Sequence, residues 1–535
     1  MRRITSDGFP PRYKSRKYCL VEDGSHFPPK YTIALAHEIA TGSLLDSNEF
    51  SGGAESERFL SDRNFDVTEC DCGGYNHDTH PAAKVHPGRP QQDGSTTSDQ
   101  KHPPGSDAAG RPPSGQTAST LRVALVFSKP DDLVPLVEEF AGEDVDFVLF
   151  PEQYLDSSEK KAINALKYLA SDLGAPLLVG ATSDHKDGVA QVLLRFDPNG
   201  SDPTRIYKKH STADAVAFDE YDWNPRDALP TFELGGVRAG ATICHDCYLG
   251  LLQRHLAKNG ARLWLNPTGD NVVDIKWSSV LRLRAVENHV FALCTLQYIG
   301  GRKTRPFAFS PDGNELHAWR AGSADRRPIS ECKETGIYII DLDIASVDKP
   351  LDWSSLPLAN KPQRRNKNPK KPVRISLKDY KPAVYTGTGW NTNTSDCIKT
   401  EHGGVYVGEV RNEDILNAAE CFGVIHKAYK MNCRPIIWNH WDEPFPTEPE
   451  RLAALMMGRA IECCAPIVIS DQTGIRELVE LATQYKHPVR RTVELSEAVV
   501  DVKHAYGLPT AFKMVAENLH HSDRETALGQ YRSLG

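Results

Sequence analysis

Apolar runs alternate with amphipathic stretches from residue 121 onward, and this pattern predicts strands and helices that follow each other along the chain. Two of the intervening stretches have helical spacing, SSEKKAINALKYLASDLG and YLGLLQRHLAKNG, and the second is closed by Gly260. The runs predicted as buried strands are LRVALVFS (121–128), VDFVLF (145–150), APLLVGA (175–181), VAQVLLRF (189–196), VRAGATIC (237–244) and ARLWLNP (261–267). We therefore expect an α/β domain over residues 120–348.

A second α/β domain is predicted over residues 379–535. VYVGEV, RPIIWNH and APIVISD have the composition of strands, whereas NEDILNAAECFGVIHKAYK, EPERLAALMMGRAIECC and TGIRELVELATQYK have that of helices. No internal repeat is apparent, and the pattern does not indicate a role for this domain.

The rest of the chain divides into a small module and two linkers. Residues 1–69 are predicted to form a mostly helical module, because PPKYTIALAHEIA places proline before a helical apolar pattern. Residues 70–119 are rich in Pro, Gly, Ser and Asp, which predicts a disordered linker. Residues 349–378 include the basic, proline-rich stretch NKPQRRNKNPKKPVR, predicted as a second linker.

Length and charge narrow the class of protein. A chain of 535 residues with 39% hydrophobic residues is expected to form two or more cores. The formal net charge of −8 argues against a protein that coats nucleic acid over its whole surface. The twelve cysteines are scattered, which suits a reducing cytosol, and neither a secretory signal nor a membrane span is apparent. We expect a cytoplasmic protein.

Cys244 is the first candidate for chemistry, since it ends an apolar run and precedes an amphipathic segment. A cysteine in such a place is most often a small buried hydrophobe. Together with Cys247 it also fits a redox motif after a strand. A zinc site would need a second ligand pair, and none is near in sequence.

Other reactive side chains follow other predicted strands. Glu152 comes after VDFVLF, and Lys208 and Lys209 follow another strand pattern. Strand ends converge on one edge of an open α/β sheet, so a carboxylate, an ammonium and the Cys244 thiol are expected to meet there. The carboxylate can take the thiol proton, and the ammonium can stabilise an oxyanion. The positive end of the helix predicted near Tyr248 would favour the thiolate.

The order FPE, YKK and ICHD resembles the three signatures of the nitrilase (carbon–nitrogen hydrolase) superfamily. LWLNPTGDN, RLRAVENHVFAL and FSPDGNELHA resemble its later segments, so the likeness covers residues 121–345. It implies an α-β-β-α sandwich, a triad of Glu152, Lys209 and Cys244, and a second active-site glutamate at Glu220. It also implies paired hydrolase domains, hence a homo-oligomer, and no metal or organic cofactor.

The sequence departs from that family next to the nucleophile. His245 stands where an aromatic residue is usual, and Cys247 and Tyr248 replace a Phe-Pro pair. A Cys244–His245 dyad is disfavoured, because adjacent side chains diverge on an extended chain. His245 is instead expected in the pocket wall, with its backbone N–H as an oxyanion donor. A slip of one residue would exchange Lys208 for Lys209, and only one of them can face the site.

The N-terminal module resembles, through PPKY…A…ATG…EFSGG, a module of bacterial restriction-type and HNH-like nucleases. This likeness suggests a defence setting, with nucleic-acid contact by the basic residues; a solvated basic tail is the alternative. The basic residues concerned are Arg2, Arg3, Arg12, Lys14, Arg16 and Lys17. Cys70, Cys72, His77 and His80 form only a weak zinc pattern.

These observations favour a thiol-dependent, amidase-type hydrolase of a non-peptide C–N bond, acting on a small amide-like molecule. One alternative is an effector of a bacterial antiviral system, in which the terminal units sense nucleic acid or a nucleotide and regulate the hydrolase. Another is a binding protein built on a hydrolase core, against which the intact set of Glu152, Lys209 and Cys244 argues.

Overall fold

The computed structural model divides the chain into two compact units, residues 1–111 and 112–535. The structure describes residues 18–22, 25–41, 56, 60, 66–69, 120–129, 139–140, 143–185, 188–210, 229–269, 272–298, 304–363, 369–378, 381–481, 488–506 and 521–534. The predicted linker at 70–119 and its four candidate zinc ligands lie outside the described residues.

The N-terminal unit combines a helix with a three-stranded antiparallel sheet, in the order β2-β1-β3. Its elements are β1 (Tyr18–Glu22), β2 (Ser25–Phe27), α1 (Pro29–Thr41) and β3 (Asp66–Glu69). The helix predicted from PPKYTIALAHEIA is present as α1, and the sequence did not predict the sheet beside it. A lone amphipathic helix cannot cover its own apolar stripe, and here Leu20 and Phe27 of the sheet cover Tyr31 and Leu35.

The second unit begins with a nine-stranded mixed sheet. Its strands are β4 (Thr120–Phe127), β5 (Phe147–Leu149), β6 (Leu155–Asp156), β7 (Leu177–His185), β8 (Gly188–Phe196), β9 (Thr204–Lys208), β15 (His317–Arg320), β16 (Arg327–Pro328) and β17 (Gly336–Asp343). Their order is β16-β15-β17-β4-β5-β7-β8-β9, with β6 beside β7. One face of this sheet packs on helix α2 (Lys160–Leu173).

The other face of that sheet packs on a five-stranded sheet of order β10-β11-β12-β13-β14. These strands are β10 (Thr231–Leu234), β11 (Val237–Ala241), β12 (Leu263–Leu265), β13 (Phe291–Cys294) and β14 (Phe307–Phe309). A five-residue 3-10 helix, Cys244–Tyr248, and helix α3 (Gly250–Lys258) connect β11 to β12, and α4 (Asp274–Asn288) connects β12 to β13. The predicted α/β class is confirmed.

The C-terminal part is also α/β and contains two sheets. A four-stranded sheet consists of β18 (Pro372–Lys378), β19 (Lys381–Tyr385), β20 (Trp390–Asn391) and β27 (Glu497–Asp501). A six-stranded sheet consists of β21 (Ile398–Thr400), β22 (Gly403–Arg411), β23 (Arg434–His440), β24 (Ile467–Asp471), β25 (Gly474–Leu481) and β26 (Pro488–Arg491), adjacent in that order. The helices are α5 (Ala418–Lys430), α6 (Pro449–Cys463) and α7 (His521–Arg532).

Three expectations need correction in this part. The C-terminal sheet starts at Pro372, inside the predicted linker, because Val373 and Ile375 alternate into the core. TGIRELVEL forms β25 rather than a helix, since it pairs with strands on both sides. Cys397 and Cys433 are joined by a disulfide, which departs from the expectation of reduced thiols.

Candidate active site

Glu152 lies in the turn after β5, with its side chain buried. The turn passes so close to Gly180 of β7 that a Cβ atom there would overlap the backbone of Pro151 and Glu152. Gln297 supports the same turn, because its Nε2 donates to the carbonyl oxygen of Glu152 at 2.7 Å. A glycine on the neighbouring strand and an amide from the second sheet thus fix the position of the carboxylate.

Lys209 follows directly after β9, and its side chain is 4% exposed. Its Nζ lies 2.7 Å from Oε1 of Glu152 and 2.6 Å from Oε1 of Gln191. Its backbone N–H also donates to the Gln191 carbonyl, at 2.9 Å. The structure therefore brings Lys209 rather than Lys208 to the glutamate, and β8 supplies a second acceptor.

Cys244 opens the 3-10 helix that follows β11, with a left-handed φ of 51°. Its N–H donates to the carbonyl of Pro267 at 2.9 Å, and its own carbonyl accepts from the buried Asn266 amide at 3.4 Å. A non-glycine residue in this conformation is strained, and such strain persists where surrounding contacts enforce it. Here the next strand along the chain supplies those contacts.

Asp246 connects the cysteine segment with the lysine segment. Its fully buried carboxylate accepts from the hydroxyl of Tyr207 at 2.7 Å and from the backbone N–H of His210 at 3.0 Å. Because Tyr207 and His210 flank Lys209 in the chain, this single carboxylate fixes the lysine relative to the 3-10 helix.

His245 lies beside the thiol, with its Nδ1 3.2 Å from Sγ of Cys244. The ring also packs against Tyr248 and Trp277, at centroid distances of 5.6 and 6.0 Å. The argument that adjacent side chains must diverge is wrong at this position, because Cys244 begins a helical turn and is not extended. The place of His245 in a pocket wall stays a prediction.

The surroundings of the Cys244 thiol favour its protonated form. Burial raises its pKa above the ordinary value, and the charge of Glu152 raises it further, against the opposing effect of Lys209 and a backbone hydrogen bond from Gly269. Helix α3 begins at Gly250, shortly after the predicted start near Tyr248, and Cys244 itself opens the preceding 3-10 helix. The expected stabilisation of a thiolate by a helix end stays a prediction.

The pKa of Lys209 is raised, although burial of its side chain favours a lower pKa. Burial alone would lower the pKa, but the negative charge of Glu152 and the hydrogen bond to it outweigh burial and raise the pKa above the ordinary lysine value. The lysine therefore stays an ammonium group in a buried ion pair.

Of the residues selected from the sequence, Glu152 and Lys209 lie in direct contact, Cys244 lies within their electrostatic reach, and His245 adjoins the thiol. Glu220 lies outside the described residues. Cys244 and Cys247 are both buried free thiols, and no disulfide joins them. Sequence reasoning missed Gln191, Asp246 and Gly180; only Asp246, inside ICHD, carried a visible signal.

Two further properties concern ligands and membranes. Among the described residues, no group of three or more His, Cys, Asp or Glu side chains is arranged to hold a metal ion. Within the same part of the chain, no helix combines the length and apolarity needed to cross a membrane.

A buried Glu–Lys pair beside a cysteine on a strand-to-helix turn defines a candidate thiol hydrolase. Residues 133–319 match the carbon–nitrogen hydrolase family, and residues 4–69 match the ScoMcrA-like N-terminal head domain. The two predicted resemblances are confirmed: residues 133–319 resemble carbon–nitrogen hydrolases, and residues 4–69 resemble the head domain.

Individual proteins also match part of the chain. A hydrolase of Pseudomonas protegens, from the region 5′ of pqqF, is 25% identical over 257 residues, which cover 42% of this chain and 89% of that protein. A Nesterenkonia amidase solved with butyramide is 19% identical, with a TM-score of 0.33, over 44% of this chain and 97% of the amidase. A CN-hydrolase superfamily protein of Xanthomonas campestris, with an arsenic adduct in its active site, is 19% identical with a TM-score of 0.34, over 43% and 92%.

Proposed function

We propose that this protein hydrolyses a non-peptide C–N bond of a small amide, with Cys244 as nucleophile and a thioester intermediate. The observation that carries the proposal is the buried Lys209–Glu152 pair, 2.7 Å apart, beside a cysteine held in a strained turn. Structural cysteines seldom need a buried ion pair beside them, whereas a thiol that must be deprotonated and then acylated needs both charges.

Acylation begins with proton transfer from the Cys244 thiol, whose pKa is raised by burial. Glu152 takes the proton from Sγ as the sulfur attacks the amide carbon, and the carbonyl π electrons move onto oxygen. The tetrahedral intermediate then collapses, and the C–N bond breaks as Glu152 gives the proton to the leaving nitrogen. Ammonia or an amine departs, and the acyl group stays on Cys244 as a thioester.

The developing oxyanion is stabilised by Lys209 and by the backbone N–H of His245. A lysine ammonium has three hydrogens, and two of those on Lys209 point to Glu152 and Gln191. The third is directed to the substrate oxygen. Because Glu152 and Gln191 hold Nζ from two sides, the ammonium needs no reorganisation as the charge forms.

Deacylation uses the same groups in reverse. Glu152 takes a proton from water, the resulting hydroxide attacks the thioester carbon, and the acid leaves as Sγ regains a proton. Glu220 orients Lys209 or the substrate. None of these steps calls for a metal ion or an organic cofactor.

The arrangement of layers supports the remaining family expectations. Within residues 120–348, α2 covers the nine-stranded sheet, the two sheets pack face to face, and α3 and α4 cover the five-stranded sheet. This layering supports an α-β-β-α sandwich. We further propose a cytoplasmic protein that forms homo-oligomers. The α3 and α4 face already packs on α5 and α6 of the same chain, so copies would associate through another face.

The test is ammonia release from short aliphatic amides, N-carbamoyl amino acids and nitriles. Cys244→Ala and Glu152→Gln should each lower kcat/KM by roughly 10³-fold or more, and the double variant should be no worse, because the residues act as one unit. Cys332→Ala, which removes a buried thiol outside the site, is the matched control. Wild-type activity that survives Cys244→Ala would refute the proposal.

A second candidate function rests on the match of residues 4–69 to the ScoMcrA-like head domain. A head domain on a hydrolase fits an effector of a bacterial defence system, in which nucleic acid controls hydrolysis. The test compares ammonia release by the full chain with and without duplex DNA at fixed ionic strength. A change in kcat with DNA supports control by nucleic acid, and identical rates at saturating DNA argue against it.

A further inference from the structure

The C-terminal six-stranded sheet repeats the order of elements found around the nucleophile. In the hydrolase domain, β10 pairs antiparallel with β11, β11 to β13 are parallel, and β14 is antiparallel again. In the C-terminal part, β21 pairs antiparallel with β22, β22 to β24 are parallel, and β25 is antiparallel. In both, a five-residue 3-10 helix and a helix form the first crossover, and a 15-residue helix forms the second.

The repeat extends to backbone conformation at the nucleophile. Asn412 opens its 3-10 helix with a φ of 45°, as Cys244 does with a φ of 51°. The buried Asn439 amide donates to the Asn412 carbonyl at 3.1 Å, as Asn266 donates to the Cys244 carbonyl at 3.4 Å. Asn412 therefore occupies the place of the thiol, with a side chain that is not a nucleophile.

The packing of the first crossover helix is repeated as well. A Cβ at Gly240 of β11 would collide with Leu256 of α3, and a Cβ at Gly408 of β22 would collide with Val424 of α5. The same number of residues separates each glycine from its partner. The glycine–helix contact is therefore equivalent in the two parts. Together with the shared order of elements, it identifies the C-terminal part as an internal copy of the nucleophile-bearing half.

The two copies meet through a buried cluster of four charges. Arg284 and Glu287 of α4 lie in the stretch RAVE, and Arg459 and Glu462 of α6 lie in the stretch RAIE at the equivalent place. Each arginine forms ion pairs with both glutamates, and the four side chains are at most 5% exposed. Each arginine Nε also donates to a carbonyl of its own 3-10 helix, Arg284 at 2.9 Å and Arg459 at 3.2 Å.

This cluster reaches the segment that carries the nucleophile. The carbonyl that accepts from Arg284 belongs to Cys247, three residues after Cys244. Glu462 of the internal copy accepts from the backbone N–H of Gly250, at the start of α3, at 3.1 Å. It also pairs with Arg284 at 3.1 Å. The internal copy thus contacts the Gly250 end of this turn directly through Glu462, and the Cys247 end only through Arg284 of α4.

We propose that the C-terminal part is a catalytically silent internal copy, whose Arg459 and Glu462 act as positioning residues for Cys244. This proposal rests on the proposed role of Cys244 as nucleophile. The strained turn needs outside contacts to persist. The charge cluster supplies two of them, one from Arg284 of α4 and one from Glu462 of the second copy. The C-terminal part of the same chain thus supplies the surface that covers α3 and α4.

The test replaces the two charged side chains that the internal copy contributes to the cluster, so that no buried charge is left unpaired. The double variant Arg459→Met, Glu462→Leu keeps the Arg284–Glu287 pair intact and fills the space with apolar groups, a change that buried ion pairs often tolerate. Tyr531→Phe is a milder second variant, because the Tyr531 hydroxyl accepts from the N–H of Leu251 at 3.1 Å. The matched control is Arg490→Met, Glu477→Leu, a buried ion pair within the C-terminal sheet.

Two readouts are compared in variants with native circular dichroism. Loss of positioning should lower kcat by about 10- to 100-fold with little change in KM, since small misplacements of a reacting atom are costly. It should also speed alkylation of Cys244 by iodoacetamide by at least about threefold, because a loosened turn opens more often. For Tyr531→Phe we expect the same directions with smaller changes, and for the control pair neither change.

The proposal is overturned if the folded double variant keeps both the wild-type kcat and the wild-type alkylation rate. If the double variant does not fold, the same outcome for Tyr531→Phe overturns it. Alkylation needs no substrate, so it decides the inference even if no compound of the panel is hydrolysed. If no compound is hydrolysed, the proposed function fails, whereas the inference about positioning is still decided by the alkylation rate.

Discussion

The ammonium nitrogen of Lys209 lies 2.7 Å from the Glu152 carboxylate, and both side chains are about 4% exposed. Lys208, the neighbour, does not take this place. Lys209→Met should lower kcat/KM by about 10²- to 10³-fold, because it removes the oxyanion donor and leaves Glu152 without its ammonium partner. Lys208→Met is the matched control and should stay near wild type. If the two variants lose equal activity, the assignment of Lys209 fails.

His245 tests which group is the base. His245→Phe keeps a ring against Tyr248 and Trp277 but removes the nitrogen 3.2 Å from the Cys244 sulfur. If Glu152 is the base, the substitution should cost no more than about 10-fold in kcat, less than the effect typical of losing a general base. A loss as large as that of Glu152→Gln would transfer the role of base to His245.

The raised pKa of the Cys244 thiol predicts an unusual pH dependence of alkylation. An ordinary thiol approaches its maximal rate of reaction above its pKa of roughly 8.5. Since burial first, and Glu152 next, raise the pKa of Cys244, its rate should still rise with pH beyond that point. The measurement is iodoacetamide labelling by peptide mass spectrometry, with a small free thiol in the same tube as reference. A plateau below pH 8 would show a lowered pKa instead.

Gly180 tests how the turn of Glu152 is held. Gly180→Ala would place a Cβ into the backbone of Pro151 and Glu152, so it should destabilise the fold by at least about 2 kcal/mol and abolish activity. Gly423→Ala is the control, because nothing lies within 4 Å of its Cβ position on α5. There alanine should add about 0.5–1 kcal/mol to the free energy of unfolding. Equal thermal stability of the two variants would contradict the close approach.

The reactive residues could be predicted because each follows an apolar strand and stands in a short motif. Glu152 and Cys244 both end such runs, and the order of the motifs placed Lys209 between them. Gln191 was invisible, since one glutamine within a strand pattern carries no signal until the neighbouring strand is known. The direction of the Cys244 pKa was also out of reach, because it depends on burial and on how close Glu152 lies to the thiol.

The internal copy was missed for a different reason. Its clearest traces are four-residue matches, RAVE and RAIE, which are too short to stand out in 535 residues. The nucleophile itself is replaced by Asn412, so the motif that identified the first copy is absent from the second. β25 was mistaken for a helix because Glu and Leu are good helix formers, while its pairing with β24 and β26 decides the structure.

The most direct test of the central claim is capture of the acyl enzyme. Wild-type protein is mixed with an amide that it hydrolyses, quenched in acid during turnover, and digested for peptide mass spectrometry. The account predicts that the peptide containing Cys244 carries the acyl mass and loses it on treatment with hydroxylamine, as a thioester does. Steady turnover with an unmodified Cys244 peptide, or with the acyl group on another residue, would contradict it.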